Sequence, residues 1–131
     1  MVTDPVADFI NRLTNAGAVG HKVVSLPFSA FKYAIAEKLK EAGYVTAIEK
    51  KGKKVRKTLD VTLKYDTAGT HVIAGVRRIS KPGRRLYKSA HEIHPVRYGY
   101  GALVLPTPKG IIADKEASKA NIGGEALFEI W

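Results

Sequence analysis

Cysteine is absent from this 131-residue chain, which excludes a disulfide framework, thiolate catalysis and any cysteine-ligated metal. Its absence fits the cytosol. No run of about 18 apolar residues occurs, so no membrane-spanning helix is expected. Met1-Val2-Thr3-Asp4-Pro5 has no basic stretch leading into an apolar one, and no secretory leader is expected. Acids are scarce, with 12 against 22 lysines and arginines, giving a formal charge of +10. A field of that sign gathers polyanions around the molecule, nucleic acid before anionic membrane. Internal repeats and low-complexity segments are also lacking. Apolar residues are not: at 45% they suffice for a packed core. The length suits one compact unit or two small lobes.

The motifs of catalysis are missing too. His91-x-x-His94 has metal-ligand spacing, but no third ligand accompanies it and Pro95 follows directly, so ordinary loop histidines are expected. No Ser/His/Asp arrangement is recognisable and the acids are scattered rather than paired. Pro106-Thr107-Pro108-Lys109-Gly110 lacks the glycine spacing of a P-loop, and its prolines remove N–H donors that a phosphate cradle requires. No catalytic residue, metal, cofactor or small-molecule substrate is expected.

The apolar pattern predicts an α+β chain of two small lobes. A first helix opens with Asp4 as N-cap and Pro5 at the first helical position, where no N–H is needed. It carries Val6, Phe9, Ile10 and Leu13 on one stripe and stops at Gly17. Lys22–Leu26 reads as a strand. A second helix follows, capped by Ser29, with Phe28 and Tyr33 as a hydrophobic staple and Phe31, Ile35, Leu39 and Ala42 as its buried stripe. Tyr44–Glu49 and Val55–Tyr65 read as a hairpin around Lys50-Lys51-Gly52-Lys53-Lys54, a tip able to meet phosphate or to guard a sheet edge. These segments give an α-β-α-β-β lobe over 1–66, joined through Asp66–Thr70 to a mainly β lobe with one short helix over 67–131. In the latter, His71–Ile79 is the first strand, Lys81-Pro82-Gly83-Arg84 a type II turn, Leu86–Lys88 a short strand and Ser89–Tyr100 irregular, with a brief helical turn. Ala102–Leu105 and Ile111–Ala113 are strands, 114–120 a helix and Glu125–Trp131 a closing strand.

Two features point to a polyanion. Arg77, Arg78, Lys81, Arg84, Arg85 and Lys88 fall within twelve residues without an acid, and Tyr87 adds a flat surface for a base or sugar. Between its flanking strands, Pro106–Gly110 forms a rigid loop offering Thr107, Lys109 and Gly110. That suits an RNA minor groove, where 2′-hydroxyls and base edges are accessible and shape counts. Asn11, Arg12 and Asn15 on the first helix could also meet phosphate or sugar.

The same segments resemble a known family. Asp4-Pro5-Val6-Ala7-Asp8 is similar to the opening of the small-subunit ribosomal protein eight family, and 78–85 resembles its basic turn. Pro106–Gly110, then Asp114-Lys115-Glu116-Ala117, then Gly123-Gly124-Glu125 up to Trp131 follow its C-terminal half in order and spacing. The likeness runs the full length. It implies a cytoplasmic, non-enzymatic ribosomal protein that binds a central-domain helix of small-subunit rRNA and helps assemble that domain. It also implies contact with neighbouring ribosomal proteins, notably small-subunit protein five, and in some bacteria repression of its own operon. Carried over by position, Thr107, Lys109, Gly110, Tyr87, Gly123, Gly124 and Glu125 would read RNA. Thr3, Asp4, the exposed side of the first helix and Lys32 would meet an adjacent part of its backbone. Where the family usually reads Ser-Thr-Ser-Lys-Gly, this chain has Pro106 and Pro108, which lose two hydroxyls but pre-set φ. Ala113 replaces a common Thr, leaving Asp114 to cap the short helix. The rival reading is a free-standing nucleic-acid-binding regulator, against which stands the lack of a helix-turn-helix or zinc module.

Overall fold

The computed structural model describes residues 4–53, 56–94, 96, 100–108 and 110–131, an α+β chain whose backbone falls into two compact units.

The first unit is Pro5–Ala74. It contains α1 (Pro5–Ala18), β1 (Val23–Pro27), α2 (Ala30–Glu41), β2 (Val45–Lys53) and β3 (Arg56–Leu63), with the antiparallel strand order β1-β3-β2. The stripe Val6, Phe9, Ile10 and Leu13 is buried, as are Val24 and Leu26 of β1 and Leu59, Val61 and Leu63 of β3. Each such side chain contributes roughly 1.5–3 kcal/mol on burial. Ser29 caps α2, its hydroxyl accepting from the Lys32 N–H at 3.1 Å, and the Phe28 and Tyr33 rings meet at 5.8 Å.

Three local expectations are corrected here. Helix α1 runs through Gly17 instead of stopping there, because the His71 ring occupies the space a Cβ would need and only glycine lets it approach. Helix α2 buries Ile35, Ala36 and Leu39, whereas Phe31 and Ala42 are exposed. At about 100° per residue they fall roughly 70–90° from the centre of the buried stripe. The hairpin pairs out to Lys53↔Arg56, so Lys50–Lys53 are strand rather than tip, and Lys54 lies outside the described residues.

Gly75–Trp131, joined by Asp4, forms the second unit. It comprises β4 (Val76–Arg78), β5 (Tyr87–Lys88), a 3₁₀ turn (Ala90–Glu92), β6 (Ala102–Thr107), β7 (Gly110–Ala113), α3 (Asp114–Ala120), β8 (Gly124–Glu125) and β9 (Phe128–Ile130). A four-stranded sheet has the order β4-β9-β6-β7, and β5 pairs with β8. Leu103, Leu105, Ala117 and Ala126 pack with Ile93 and Val96, and Ile79, Ile112 and Trp131 close over them. The strand expected from His71 begins only at Val76, since His71 bridges back to Tyr65 in the first unit. The 81–84 turn is closed by reciprocal 2.9 Å backbone bonds between Lys81 and Arg84, but Gly83 lacks the positive φ of a type II turn. Asp114 does not cap α3. Ala113 holds the cap position without a side-chain bond, and the buried Asp114 carboxylate instead accepts from the Leu103 N–H at 3.3 Å.

Candidate nucleic-acid interface

Pro106–Gly110 is a tight hairpin rather than an open loop. Pro106 pairs with Ile111 and Thr107 with Gly110, leaving 108 and 109 as the connection. Pro106 is tolerated in β6 because β9 pairs only with Ala102–Val104, so its missing N–H breaks no bond to that neighbour. The Thr107 hydroxyl donates to the Gly110 carbonyl at 2.8 Å, and Gly110 takes φ 107°, a value that strains any residue with a Cβ. The turn is thereby stiffened from within, and Lys109 lies outside the described residues, as does Thr3.

Gly123 and Gly124 join this turn to the basic segment. A Cβ at Gly124 would lie 2.6 Å from the Pro106 carbonyl oxygen and 3.1 Å from Thr107 Cγ2. One at Gly123 would lie 2.5 Å from the Lys88 carbonyl oxygen and 2.8 Å from Ser89 Cα. With Tyr87↔Glu125 and Lys88↔Gly124 paired, the bare backbone of 123–124 is held between the hairpin turn and β5. An open groove of about 570 Å³ results, lined by Tyr87, Lys88, the 89–92 turn, Asn121 and the two glycines. Tyr87 is 69% exposed there.

The basic residues divide into two kinds. Arg78 faces inward: its side chain is 10% exposed, Nε donates to Asp4 Oδ2 at 3.0 Å, Nη2 to Asp4 Oδ1 at 3.4 Å, and Nη1 to the Leu127 carbonyl. Arg85 donates to Glu125 at 3.0 Å while remaining half exposed. Arg77, Lys81 and Arg84 are exposed, with Glu129 reaching Arg77 only at 4.0 Å, and Lys88 is half-buried in the groove wall.

Glu125 is engaged within the protein: its carboxylate accepts from the buried Ser80 hydroxyl as well as from Arg85. Ser80 in turn accepts from the Leu86 N–H at 3.2 Å, so this network fixes the bend between β4 and β5. Burial pushes the Glu125 carboxyl up, but the Ser80 hydroxyl and the Arg85 and Arg78 charges outweigh it, and the pKa lies below the usual value. A depressed carboxyl pKa adds stability above the unfolded value and loses it as pH falls through the folded one. Acidification from about pH 5 to pH 3 should therefore lower the urea midpoint, through this and other carboxylates. Glu125→Gln should lower the midpoint at pH 7 and flatten that acid fall; an unchanged pH profile would remove Glu125 from the network.

Some groove residues were not singled out from the sequence. Ser89-x-x-Glu92 forms a capping box, a signal that the residue spacing does carry. The Ser89 hydroxyl and N–H hold the Glu92 carboxyl below its usual pKa. Asn121 adopts a left-handed φ of 56° to end α3, a conformation Asn tolerates at a helix C-terminus. Ser80 offered no local signal, since its partners lie 6 and 45 residues away.

Asn11, Arg12, Asn15 and Lys32 belong to the first unit, and so are not part of this groove. Asn11 and Asn15 are exposed on α1, Arg12 pairs with Asp8 at 3.1 Å, and Lys32 Nζ donates to the Pro27 carbonyl at 3.4 Å. His91 and His94 are exposed, and among the described residues no three His, Asp or Glu side chains converge on a metal position.

The rigid turn, the basic strand and the glycine-lined groove thus lie together in the second unit of an α+β chain. The sequence matches the family of ribosomal protein S8 over residues 4–131. It is similar to the small ribosomal subunit protein uS8 of Mycoplasma mobile, 45% identical over 131 residues, covering 100% of this chain and 98% of that protein. The uS8 proteins of Corynebacterium jeikeium and Clostridium botulinum are 42% and 43% identical, over 99% and 100% of this chain and 98% and 99% of theirs. The chain belongs to the ribosomal protein S8 family, whose members are structural components of the small ribosomal subunit and not enzymes.

Proposed function

We propose that the chain binds small-subunit rRNA as a structural component of that subunit, holding a helix of the central domain and helping the domain assemble. The observation that carries this reading is the close approach of Gly123 and Gly124 to Lys88 and Pro106, which gathers turn, basic strand and groove in one unit. Tyr87 offers its face to a base or sugar. Thr107 and Gly110 act through the shape of a preset turn against a distorted minor groove, in place of the serine hydroxyls that Pro106 and Pro108 displace. Arg77, Lys81, Arg84, Arg85 and Lys88 neutralise phosphates. Asp4, Arg78 and Glu125 serve the surface by fixing β4 and the bend after it. The remaining faces meet neighbouring ribosomal proteins, small-subunit protein five among them. A messenger carrying a similar helix would compete for the same groove, which is the route to repression of the chain's own operon.

Salt titration of binding to a transcript of the central domain tests this. With about four phosphates neutralised, log K should fall with a log[salt] slope on the order of −3 to −4. Thr107→Ala, which removes the bond closing the turn, should weaken binding to the transcript more than to a generic RNA duplex. A flat salt dependence, or equal losses on both RNAs, would overturn the proposal. Co-sedimentation with small subunits after a high-salt wash separates it from a regulator acting off the ribosome.

A further inference from the structure

We propose that the free edge of β1, with the face of α1 beside it, is a docking groove for an extended, acid-bearing segment of a neighbouring small-subunit protein, added as a further strand. The inference rests on membership of the small subunit, not on how the second unit reads RNA.

Strand β1 ends the order β1-β3-β2, and an antiparallel strand bonds its neighbour through alternate residues. The Lys22 carbonyl accepts from the Leu63 N–H at 2.8 Å, and the Phe28 N–H donates to the Lys57 carbonyl at 3.0 Å. Positions 22, 24, 26 and 28 therefore face β3, while Val23, Ser25 and Pro27 turn their backbone groups outward. Lys32 Nζ donates to the Pro27 carbonyl at 3.4 Å, and proline has no N–H to offer. That leaves the N–H and C=O groups of Val23 and Ser25, to which nothing bonds among the described residues. Open edges are commonly guarded by charge or proline. Lys22 and Pro27 flank this one, but the side chains between them are Val23, Val24, Ser25 and Leu26, all uncharged.

The edge borders an open groove of about 500 Å³. Arg12, Asn15 and Ala16 line it from α1, Val19 follows the helix end, and Val23 and Ser25 line it from the strand. Val19 is 69% exposed and Val23 47%, so two large apolar side chains stand open in one groove. Charge selects the occupant. The lining carries Arg12 and His21 but no acid, and Asp8 meets Arg12 at Nε, 3.1 Å away, which leaves the Nη groups for a carboxylate. A strand bearing an acid among apolar residues answers each part. Its backbone pairs with Val23 and Ser25, its apolar side chains cover the valines, and its carboxylate meets Arg12. RNA could also engage Arg12, but phosphates only accept hydrogen bonds, so the Val23 and Ser25 carbonyls would stay unpaired and the valines uncovered.

A benzoylphenylalanine photo-cross-linker at position 19 of the full chain, in reconstituted small subunits, tests this, with the same probe at position 87 for comparison. The probe at 19 should link to a protein, at a segment holding an Asp or Glu among apolar residues. A link to rRNA, or no link, would overturn the inference; so would a link between two copies of the free chain, which makes the occupant a second copy. If the probe at 87 misses rRNA while the probe at 19 still finds that segment, the RNA reading fails and this one stands. Strand pairing is read with Ser25→Pro and Ser25→Ala. Both lose the 2.8 Å bond from the Ser25 hydroxyl to Asp60, but only proline removes the outward N–H. Cross-linking from position 19 should fall about fivefold with proline and stay within about twofold with alanine. Equal yields in the two variants would sink the proposal. Should Ser25→Pro fail to fold, hydrogen exchange of the native chain decides. In the free chain the Val23 and Ser25 amides should exchange at least about tenfold faster than those of Val24 and Leu26, and in the subunit they should slow to match them. Fast exchange in the subunit would refute strand addition.

Discussion

Gly124→Ala is expected to lower affinity for the central-domain transcript on the order of a hundredfold and to destabilise the chain by about 1–3 kcal/mol. The added methyl would sit 2.6 Å from the Pro106 carbonyl oxygen, a backbone atom inside a paired strand that cannot swing aside as a side chain could. Strand β8 must therefore move away from β6, and it takes β5 with it, because Lys88 is paired with Gly124. Tyr87 and the 107–110 turn would then no longer face the same RNA segment. Filter binding and urea unfolding read the two effects, and far-UV circular dichroism should show α1 and α2 retained. Binding within about threefold of native would mean that the groove is not the reading surface.

Arg78→Ala should cost about 2–3 kcal/mol, whereas Arg77→Ala, one residue away, should stay within about 0.5 kcal/mol in stability. Arg78 is a nearly buried guanidinium held by Asp4 and the Leu127 carbonyl; removing it takes two donors from the Asp4 carboxylate and one from a carbonyl that still accepts from the Ile79 and Ser80 N–H groups. Arg77 is largely open to solvent, with Glu129 only at 4.0 Å. RNA affinity should sort the other way at equal folded fraction: Arg77→Ala should reduce the salt slope and Arg78→Ala should not. Equal stability losses in the two variants would contradict the inward placement of Arg78.

The helices and the paired strands were legible because their signals are local. The α1 stripe, the Ser29 cap and the alternation of Leu59, Val61 and Leu63 are each contained within one element. What the sequence hid depends on partners far along the chain. Arg78 looks like its basic neighbours until Asp4, 74 residues away, is placed beside it. Glu125 reads as a polar surface residue until Ser80 and Arg85 converge on it. Gly17 resembles a helix stop because nothing nearby announces the His71 ring against it. Asp114 sits at the right place to cap α3, but the Leu103 N–H, fixed by the hairpin pairing of β6 and β7, offers its carboxylate a buried partner instead. The family likeness pointed to the segments proposed above to face RNA, yet it could not separate the cations that face outward from the one that holds the unit together.

The place of β9 governs how the second unit can come together. It is the last strand in the sequence, yet it lies between β4 and β6, and β4 has no other strand to pair with among those described. The β6–β7 hairpin can form from near neighbours, whereas Val76–Arg78 must wait for Phe128–Ile130, about fifty positions further on, and loop closure over that span slows the step. Until it happens Arg78 lacks the Leu127 carbonyl that helps turn it inward, and the whole 77–88 segment is an unanchored polycation. An unfinished chain therefore meets polyanions as a loose basic tether, without the shape that selects among them. On the proposed reading of the groove, discrimination arrives only when the final strand slots in.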